Sequence, residues 1–251
     1  MGRRFWDVVN EVIKESDIIL EVIDARFIDQ TRNLEIEDKV NMRGKRLIFI
    51  LNKSDLITIP LATVEHSLKG QEYVFVSAKN NLGTTILRSK IKEEKKRPLI
   101  VGILGYPNTG KSSLINVLKQ KKSAGTASVA GFTRGLQKIK IDTGIYLLDT
   151  PGVIPYKEKD DIKHAMINIK HPSKIEDPEF IAEDILIIAI EKNPKLVETL
   201  YKIKLKEGEE IPELLGRIAL NFKWLKKGGL PNIDLISRKI IEDWQRGRLI
   251  I

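Results

Sequence analysis

The stretch Ile100–Ser113, with the sequence IVGILGYPNTGKSS, constrains the fold of this chain more than any other. Its apolar beginning predicts a buried strand, and the loop after it matches the pattern G-x-x-x-x-G-K-[ST] through Gly105, Gly110, Lys111 and Ser112. Glycines let successive backbone N–H groups turn toward one anion, and the positive end of the following helix adds to the attraction. The sequence therefore predicts a phosphate-binding loop between a strand and a helix.

The side chains of this loop have separate expected roles. Lys111 can reach the terminal phosphates of a nucleotide, and the Ser112 hydroxyl suits Mg²⁺. We expect further nucleotide contacts from neighbouring loop residues, namely Asn108, Thr109, Gly110 and Ser113. The alternative, a structural turn rich in glycine, is disfavoured because a strand and a helix flank the pattern.

Length and composition limit the class of protein. At 251 residues the chain can bury a sizeable core, as one large or two modest domains. It has no cysteine, which excludes disulfides and thiolate metal sites. No apolar stretch has the length of a signal peptide or a membrane span, so we expect a cytoplasmic protein without a membrane partner. The net charge of +9 favours polyanionic partners such as nucleic acid.

Strands alternate with helices in the first two thirds of the chain. Apolar runs rich in branched residues predict strands at Ile18–Asp24, Leu47–Leu51, Tyr73–Val76, Leu136–Ile141 and Ile145–Asp149. Helical spacing predicts helices at Met1–Glu15, Leu34–Met42, Leu61–Leu68, Leu82–Ile91 and Ser112–Lys119. After about Pro172 only helices are predicted, at Phe180–Ile190, Pro194–Lys204, Ile211–Leu225 and Asp234–Arg246. We therefore expect a mostly parallel α/β domain over residues 1–172 and a small all-helical domain over residues 173–251.

The motif NKSD, Asn52–Asp55, follows the second expected strand, where α/β sheets bind ligands. Asp55 can accept two hydrogen bonds from the N1–H and N2–H₂ edge of guanine, whereas adenine offers no matching pair of donors. We expect Asn52 to tie neighbouring loops together and the stem of Lys53 to lie over the base. The alternative is an ordinary turn at the end of a strand.

Two further strand ends carry candidate site residues. The third strand ends in Ser77, Ala78 and Lys79, a motif in which the backbone N–H of Ala78 could meet guanine O6. The last strand ends in the DTPG motif, where Asp149 can hold Mg²⁺ through water and the Gly152 amide can meet a γ-phosphate.

The glycine-rich segment Lys121–Gly135 predicts a mobile loop before the last two strands. Within it, Thr133 is placed to give Mg²⁺ a second hydroxyl ligand. Thr126 is the rival candidate for that role, and an ordinary loop threonine is the alternative to both.

The order of these motifs resembles that of a known family. Ras-like GTPases carry a phosphate loop, a switch threonine, DxxG, NKxD and SAK in that order, whereas this chain carries NKSD, SAK, GYPNTGKS, the threonine loop and then DTPG. This order is similar to that of the circularly permuted GTPases of the YlqF/YawG type, which act in ribosome assembly. The tripeptide Asp24-Ala25-Arg26 and the segments KKGGLPN and DWQRGRL resemble further motifs of that family.

The resemblance implies a circularly permuted P-loop GTPase domain that binds GTP or GDP with Mg²⁺ and hydrolyses GTP. It also implies action on the large ribosomal subunit or its precursor, with ribosomal RNA as a partner, and we expect a monomer. Lys111, Thr133, Asn108 and Gly152 are the implied catalytic residues. Asn108 resembles the asparagine that supports K⁺ in potassium-activated GTPases, so hydrolysis is expected to respond to K⁺.

Slow intrinsic hydrolysis is also expected, because Val153 stands where many GTPases carry a glutamine that orients water. The alternative function is an RNA-binding assembly scaffold that uses GTP mainly as a structural ligand. A third possibility, an ATPase, is disfavoured by Asp55. The permuted order also connects the DTPG segment directly to the helical domain, so the γ-phosphate could control the orientation of that domain.

The end of the chain is basic. Between residue 217 and the end, Asp234, Glu242 and Asp243 accompany eight cations: Arg217, Lys223, Lys226, Lys227, Arg238, Lys239, Arg246 and Arg248. We expect this basic face to contact RNA, with a solvated charged face as the alternative. Trp224 and Trp244 could stack on bases, but packing in the helical core is favoured.

Overall fold

The computed structural model describes residues 2–57, 61–68, 70–119, 137–149 and 171–249. The chain divides into two compact units, residues 1–158 and 159–251. Among the described residues, no helix is both long enough and apolar enough to cross a bilayer.

The first unit is built on a six-stranded sheet with the order β3-β2-β1-β4-β6-β5. In chain order the strands are β1 (Ile18–Asp24), β2 (Arg46–Asn52), β3 (Tyr73–Val76), β4 (Leu99–Leu104), β5 (Gln137–Asp142) and β6 (Ile145–Asp149). All neighbouring strands are parallel except β5, which is antiparallel to β6. The sheet confirms the mostly parallel α/β fold predicted from the sequence.

The helices described in this unit are α1 (Gly2–Glu15), α2 (Ile28–Thr31), α3 (Leu34–Met42), α4 (Leu61–Leu68), α5 (Thr84–Glu93) and α6 (Lys111–Leu118). The short helix α2 was not predicted from the sequence, because four residues are too few to show helical spacing. A 3₁₀ turn, Ser54–Leu56, follows β2 after the single residue Lys53.

Strand β1 lies at the centre of the core. All seven of its residues are buried, as expected for a parallel strand covered on both faces. Because side chains alternate along a strand, Leu20 and Val22 pack on the side of α5 and α6, whereas Ile19 and Ile23 pack on the side of α1 and α3. The parallel strands end at one edge of the sheet, where Asp24 of β1 is in register with Asn52 of β2.

The second unit contains the helices α7 (Pro178–Lys192), α8 (Pro194–Tyr201), α9 (Ile211–Asn221) and α10 (Ile233–Gln245), preceded by a 3₁₀ turn at Pro172–Lys174. Trp244 is 1% exposed and belongs to its core. The packing role expected for this indole is therefore confirmed, since a buried ring has no free face on which a base could stack. Trp224 is half-buried and lies 5.4 Å from the ring of Phe222.

Candidate nucleotide-binding site

The loop between β4 and α6 is held tightly against the sheet. Gly105 adopts a φ of 138°, and a Cβ atom there would lie 2.3 Å from the carbonyl oxygen of Val22 on β1. Gly110 precedes α6 with a φ of 98°. Between them, the Thr109 hydroxyl donates to the Tyr106 carbonyl at 3.0 Å. The two glycines are therefore required by backbone conformation, which agrees with a loop that directs its amides inward.

Lys111 begins α6, and its side chain folds back over this loop. Its Nζ donates to the carbonyl oxygen of Gly105 at 2.9 Å and to that of Tyr106. Burial lowers the pKa of Lys111 to about 8, although the negative charge of Asp149 opposes the shift. The negative charge near the buried ammonium is therefore too small to offset its desolvation, and an anion bound in the loop would favour the charged form of Lys111.

The amide of Asn52 joins the phosphate loop to the loop after β3. Its Nδ2 donates to the carbonyl oxygen of Thr109 at 2.8 Å, and its Oδ1 accepts from the backbone N–H of Ala78 at 3.1 Å. Asn52 is 2% exposed, so these bonds are shielded from water. A Cβ atom on Gly110 would lie 2.1 Å from the same Nδ2, so the absence of a side chain at Gly110 makes room for the amide.

Lys53, the next residue, has a left-handed backbone with φ 62° and extends its side chain toward β1. Its Nζ donates to Oδ2 of Asp24 at 2.7 Å, and Arg26 donates to the same oxygen at 2.8 Å. Burial lowers the pKa of Lys53, with the charge of Asp24 acting in the opposite direction. The aliphatic stem was expected to lie over a base, but the partner of the ammonium was not predicted.

The remaining base-site residues lie on the two loops beside Asn52. Asp55 is half-buried in the 3₁₀ turn after β2. Ser77 exchanges backbone hydrogen bonds of 3.1 Å with Leu82, and its hydroxyl accepts from the N–H of Asn80 at 3.2 Å. Ala78 is 7% exposed, and Lys79 is exposed. The adjacency of β2 and β3 therefore brings the NKSD and SAK loops together.

Oxygen donors suited to Mg²⁺ lie near the start of α6. The Ser112 side chain is exposed in its first turn, next to Ser113, and Asp149 ends β6, which pairs with β4. A hydroxyl and a carboxylate match the hard oxygen ligands of this ion, which usually takes the rest of its shell from water and phosphate. Asn108 is exposed with a φ of 60°. The predicted residues Thr126, Thr133, Gly152 and Val153 lie outside the described residues.

Comparison with solved structures decides the fold. The crystal structure of GNP-bound YlqF from T. maritima matches 98% of this chain and 94% of that one, with a TM-score of 0.66 and 22% sequence identity. The chain has a circularly permuted GTPase fold. In this permuted fold the strands that carry NKSD and SAK precede the phosphate-loop strand along the chain, yet all three belong to one sheet.

Sequence comparisons agree with this permuted GTPase fold. Residues 100–215 match the family described as 50S ribosome-binding GTPase. An uncharacterized GTP-binding protein of Methanocaldococcus jannaschii is 39% identical over 246 residues, which cover 96% of this chain and 65% of that protein. GTPase grn1 of Schizosaccharomyces pombe is 31% identical over 279 residues, covering 95% and 59%. The chain thus spans less than two thirds of these relatives.

The cations of the expected basic face fall into two groups in the second unit. Five of the eight cations form ion pairs within the unit: Arg217 with Glu209, Arg238 with Asp234, Lys239 and Arg248 with Asp243, and Arg246 with Glu242. Counting charges along the sequence missed this pairing. The spacing of four residues in three of the pairs, 234/238, 239/243 and 242/246, was a signal available in the sequence.

The other three cations share one surface loop, Lys223–Asn232, here called the lysine loop. Lys223, Lys226 and Lys227 are exposed and make no ion pair with any described residue. The lysine loop is closed like a hairpin, because the N–H of Lys226 donates to the carbonyl oxygen of Leu230 at 2.7 Å and that of Asn232 to Trp224 at 2.9 Å. Lys226 interacts electrostatically with Asp234, which is itself paired with Arg238, so the loop keeps an excess of positive charge.

Proposed function

We propose that this chain binds GTP and GDP with Mg²⁺ and hydrolyses GTP to GDP and phosphate. The observation that carries the proposal is the position of the Asn52 amide, which hydrogen-bonds to Thr109 in the phosphate loop and to Ala78 in the SAK loop. One buried side chain thereby connects the loop suited to phosphates with the loops suited to guanine. A single nucleotide can then contact both.

Each residue has a definite role in this proposal. Lys111 exchanges the carbonyl oxygens of Gly105 and Tyr106 for phosphate oxygens, while the loop amides of Asn108–Ser113 surround the phosphates. Asp55 selects guanine, and Ala78 donates to its O6. Bound Mg²⁺ neutralises charge on the phosphate oxygens. The residues proposed to hold it are Ser112, Asp149 and Thr133, and the proposed γ-phosphate contact is the Gly152 amide.

The guanine assignment is tested by Asp55→Asn. The asparagine amide can no longer accept two hydrogen bonds from guanine, but it complements xanthine. We therefore expect the affinity for GDP to fall about a hundredfold or more and the affinity for xanthosine diphosphate (XDP) to rise. Asp38→Asn, on the exposed side of α3, is the matched control and should change neither affinity. Calorimetric titration with both nucleotides measures the effect. An unchanged preference for guanine in Asp55→Asn would contradict the proposal.

Hydrolysis is proposed to be slow and stimulated by K⁺, with the ion held near Asn108. Val153 lacks a group that can orient water, so positive charge beside the phosphates has to come from another source. Steady-state rates in KCl and NaCl at equal ionic strength test this role. We expect a higher rate in KCl, and equal rates would contradict it.

We further propose that residues 1–172 form the GTPase domain and that residues 173–251 dock on the large ribosomal subunit or its precursor under nucleotide control. The family description over residues 100–215 and the net charge of +9 support this partner. The protein is proposed to act in the cytoplasm as a monomer. Co-sedimentation with each ribosomal subunit, in GDP or a non-hydrolysable GTP analogue, should show binding to the large subunit that differs between the two nucleotides.

The lysine loop is the proposed contact with ribosomal RNA, because its three cations are exposed and form no ion pair with the described residues. The double variant Lys226→Glu/Lys227→Glu should weaken large-subunit binding and lower the slope of log affinity against log salt by about 1 per lost phosphate contact. Lys192→Glu/Lys206→Glu makes the same change in net charge at exposed sites elsewhere in the unit. Equal losses in both variants would mean that the lysine loop has no specific role.

The second candidate function, an RNA-binding scaffold that uses GTP as a structural ligand, is favoured by Val153. Single-turnover hydrolysis with and without large subunits separates the two functions. Stimulation by the subunits supports a GTPase cycle, whereas unchanged hydrolysis supports the scaffold.

A further inference from the structure

A buried cluster of charges lies beside the base-site loops, and the proposed function gives two of its members, Asp24 and Arg26, no role. Asp24, the last residue of β1, is 1% exposed. Its Oδ1 accepts from the N–H and Nε of Arg26 at 3.1 and 3.0 Å, and its Oδ2 accepts from Nη2 of Arg26 at 2.8 Å and from Nζ of Lys53 at 2.7 Å. Since β1 lies between β2 and β4, the carboxylate is next to both halves of the cleft.

Stability alone does not explain why one carboxylate holds two cations. The Arg26 side chain is 1% exposed, and its two side-chain hydrogen bonds already compensate the charge of Asp24. Asp24, Arg26 and Lys53 together carry a charge of +1, and the nearby charge of Asp55 also acts on the Lys53 ammonium. The Lys53 side chain is 21% exposed, so one part of it stays open to solvent while its end is fixed.

Lys53 lies between two elements of the base site. It stands between Asn52, whose amide joins the loops, and the 3₁₀ turn that contains Asp55. Its left-handed backbone, with φ 62°, is uncommon for a residue with a side chain and is typical of sites where geometry matters more than relaxed conformation. The bond to Asp24 then determines the direction in which the stem of Lys53 extends.

We propose that Asp24, itself fixed by Arg26, is a positioning residue that holds the Lys53 side chain in its nucleotide-binding orientation before the nucleotide arrives. This inference rests on the proposed function, because it assigns Lys53 a guanine nucleotide to contact. An unanchored lysine side chain loses rotamer freedom when the nucleotide binds, which costs binding free energy. An anchored side chain has already lost that freedom on folding, so binding does not incur the cost again. The anchor should therefore strengthen nucleotide binding without taking part in hydrolysis.

A double-mutant cycle separates this role from a general structural one. Asp24→Asn should weaken GDP and GTP binding by about tenfold each, because both nucleotides share the base. It should raise KM for GTP and leave kcat unchanged. In a Lys53→Met background, Asp24→Asn should weaken binding no further, since the residue that it orients is gone. An equal loss of affinity in both backgrounds, or a loss of kcat, would overturn the inference.

Thermal unfolding of each variant shows whether it folds, and Asp24→Glu replaces Asp24→Asn in the same cycle if the latter does not. The longer side chain keeps the charge but displaces the carboxylate, so the same dependence on Lys53 is expected. The outcomes also separate this inference from the proposed function. A wild-type protein that binds no guanine nucleotide refutes both, whereas wild-type binding with independent effects of Asp24 and Lys53 refutes the anchor alone.

Discussion

The Asn52 amide permits a substitution that removes one of its hydrogen bonds and keeps the other. In Asn52→Asp an oxygen replaces Nδ2, which donates to the Thr109 carbonyl at 2.8 Å, while the other oxygen can still accept from the N–H of Ala78. The two side chains have nearly the same shape, so no cavity is created. The substitution therefore tests the link to the phosphate loop specifically.

The expected cost follows from the burial of this group. Losing the bond costs about 1 kcal/mol, and leaving the Thr109 carbonyl unsatisfied and facing another oxygen adds about 1–3 kcal/mol. Burial raises the pKa of a carboxyl group, and the protonated form can donate to Thr109 again. The folded variant then binds more protons than the unfolded chain. Its free energy of unfolding should therefore fall as the pH rises from about 4 through the raised pKa.

Urea unfolding and GDP titration of the wild type and Asn52→Asp between pH 5 and 8 measure this effect. At pH 8 we expect a loss of about 2–4 kcal/mol in stability with weaker GDP binding, and partial recovery of both at pH 5. Asn80→Asp, at an exposed position after the SAK motif, is the matched control and should stay near wild type. Wild-type behaviour of Asn52→Asp at every pH, or a larger loss at low pH, would refute the reasoning.

Four other substitutions test the packing and backbone geometry of the two units. Burial raises the pKa of Glu21, so wild-type stability should fall as the pH rises above about 4.3; Glu21→Gln should flatten this slope in urea unfolding, and an unchanged slope would count against it. Gly105→Ala places a Cβ 2.3 Å from a backbone oxygen, so we expect a loss of at least about 3 kcal/mol and poor GDP binding, whereas normal binding would contradict the loop geometry. Trp244→Ala should cost about 3–5 kcal/mol in unfolding of the second unit and Trp224→Ala clearly less; equal costs would argue against the assigned burial.

The sequence predicted elements well where a single periodic signal dominates. The run IILEVID predicted β1 with its observed bounds, because a parallel strand buried on both faces has to be apolar almost throughout. Helix ends were less predictable, because contacts distant in sequence compete for their residues. The helix predicted from Leu82 begins at Thr84, since Leu82 pairs with Ser77 and Gly83 adopts a φ of 73° before the helix.

The same competition shortened a helix in the second unit. The apolar spacing predicted that Ile211–Leu225 is helical, but α9 ends at Asn221. Lys223 adopts a left-handed φ of 57°, and Leu225 pairs with Pro231 across the lysine loop. Helical spacing continued past the end of the helix because Leu225 is an exposed apolar residue, and spacing alone does not distinguish it from a core residue.

For the candidate site, the motifs predicted which residues meet but only some of their partners. Asn52 was expected to tie loops together, and it does so with two hydrogen bonds. The anchor of Lys53 on Asp24 was not predicted, because Asp24 ends β1 and Lys53 follows β2, and no local spacing relates them. Pairing across strands depends on sheet order, which the motifs alone did not specify.

The central place of β1 has a consequence for biosynthesis. As the chain leaves the translating ribosome, the strands β1, β2 and β3 emerge before β4, which begins at Leu99. The edge of β1 opposite β2 therefore stays unpaired until β4 has emerged. An apolar strand with one open edge can pair with other chains, so the growing polypeptide passes through a stage that is prone to aggregation. Pairing with β4 covers that edge of β1, but the other edge of β4 stays open until β6, which begins at Ile145, has emerged. Lys111 lies between β4 and β6 in the sequence, so under the proposed function the phosphate loop emerges before the sheet is complete, and a bound nucleotide would stabilise the unfinished fold.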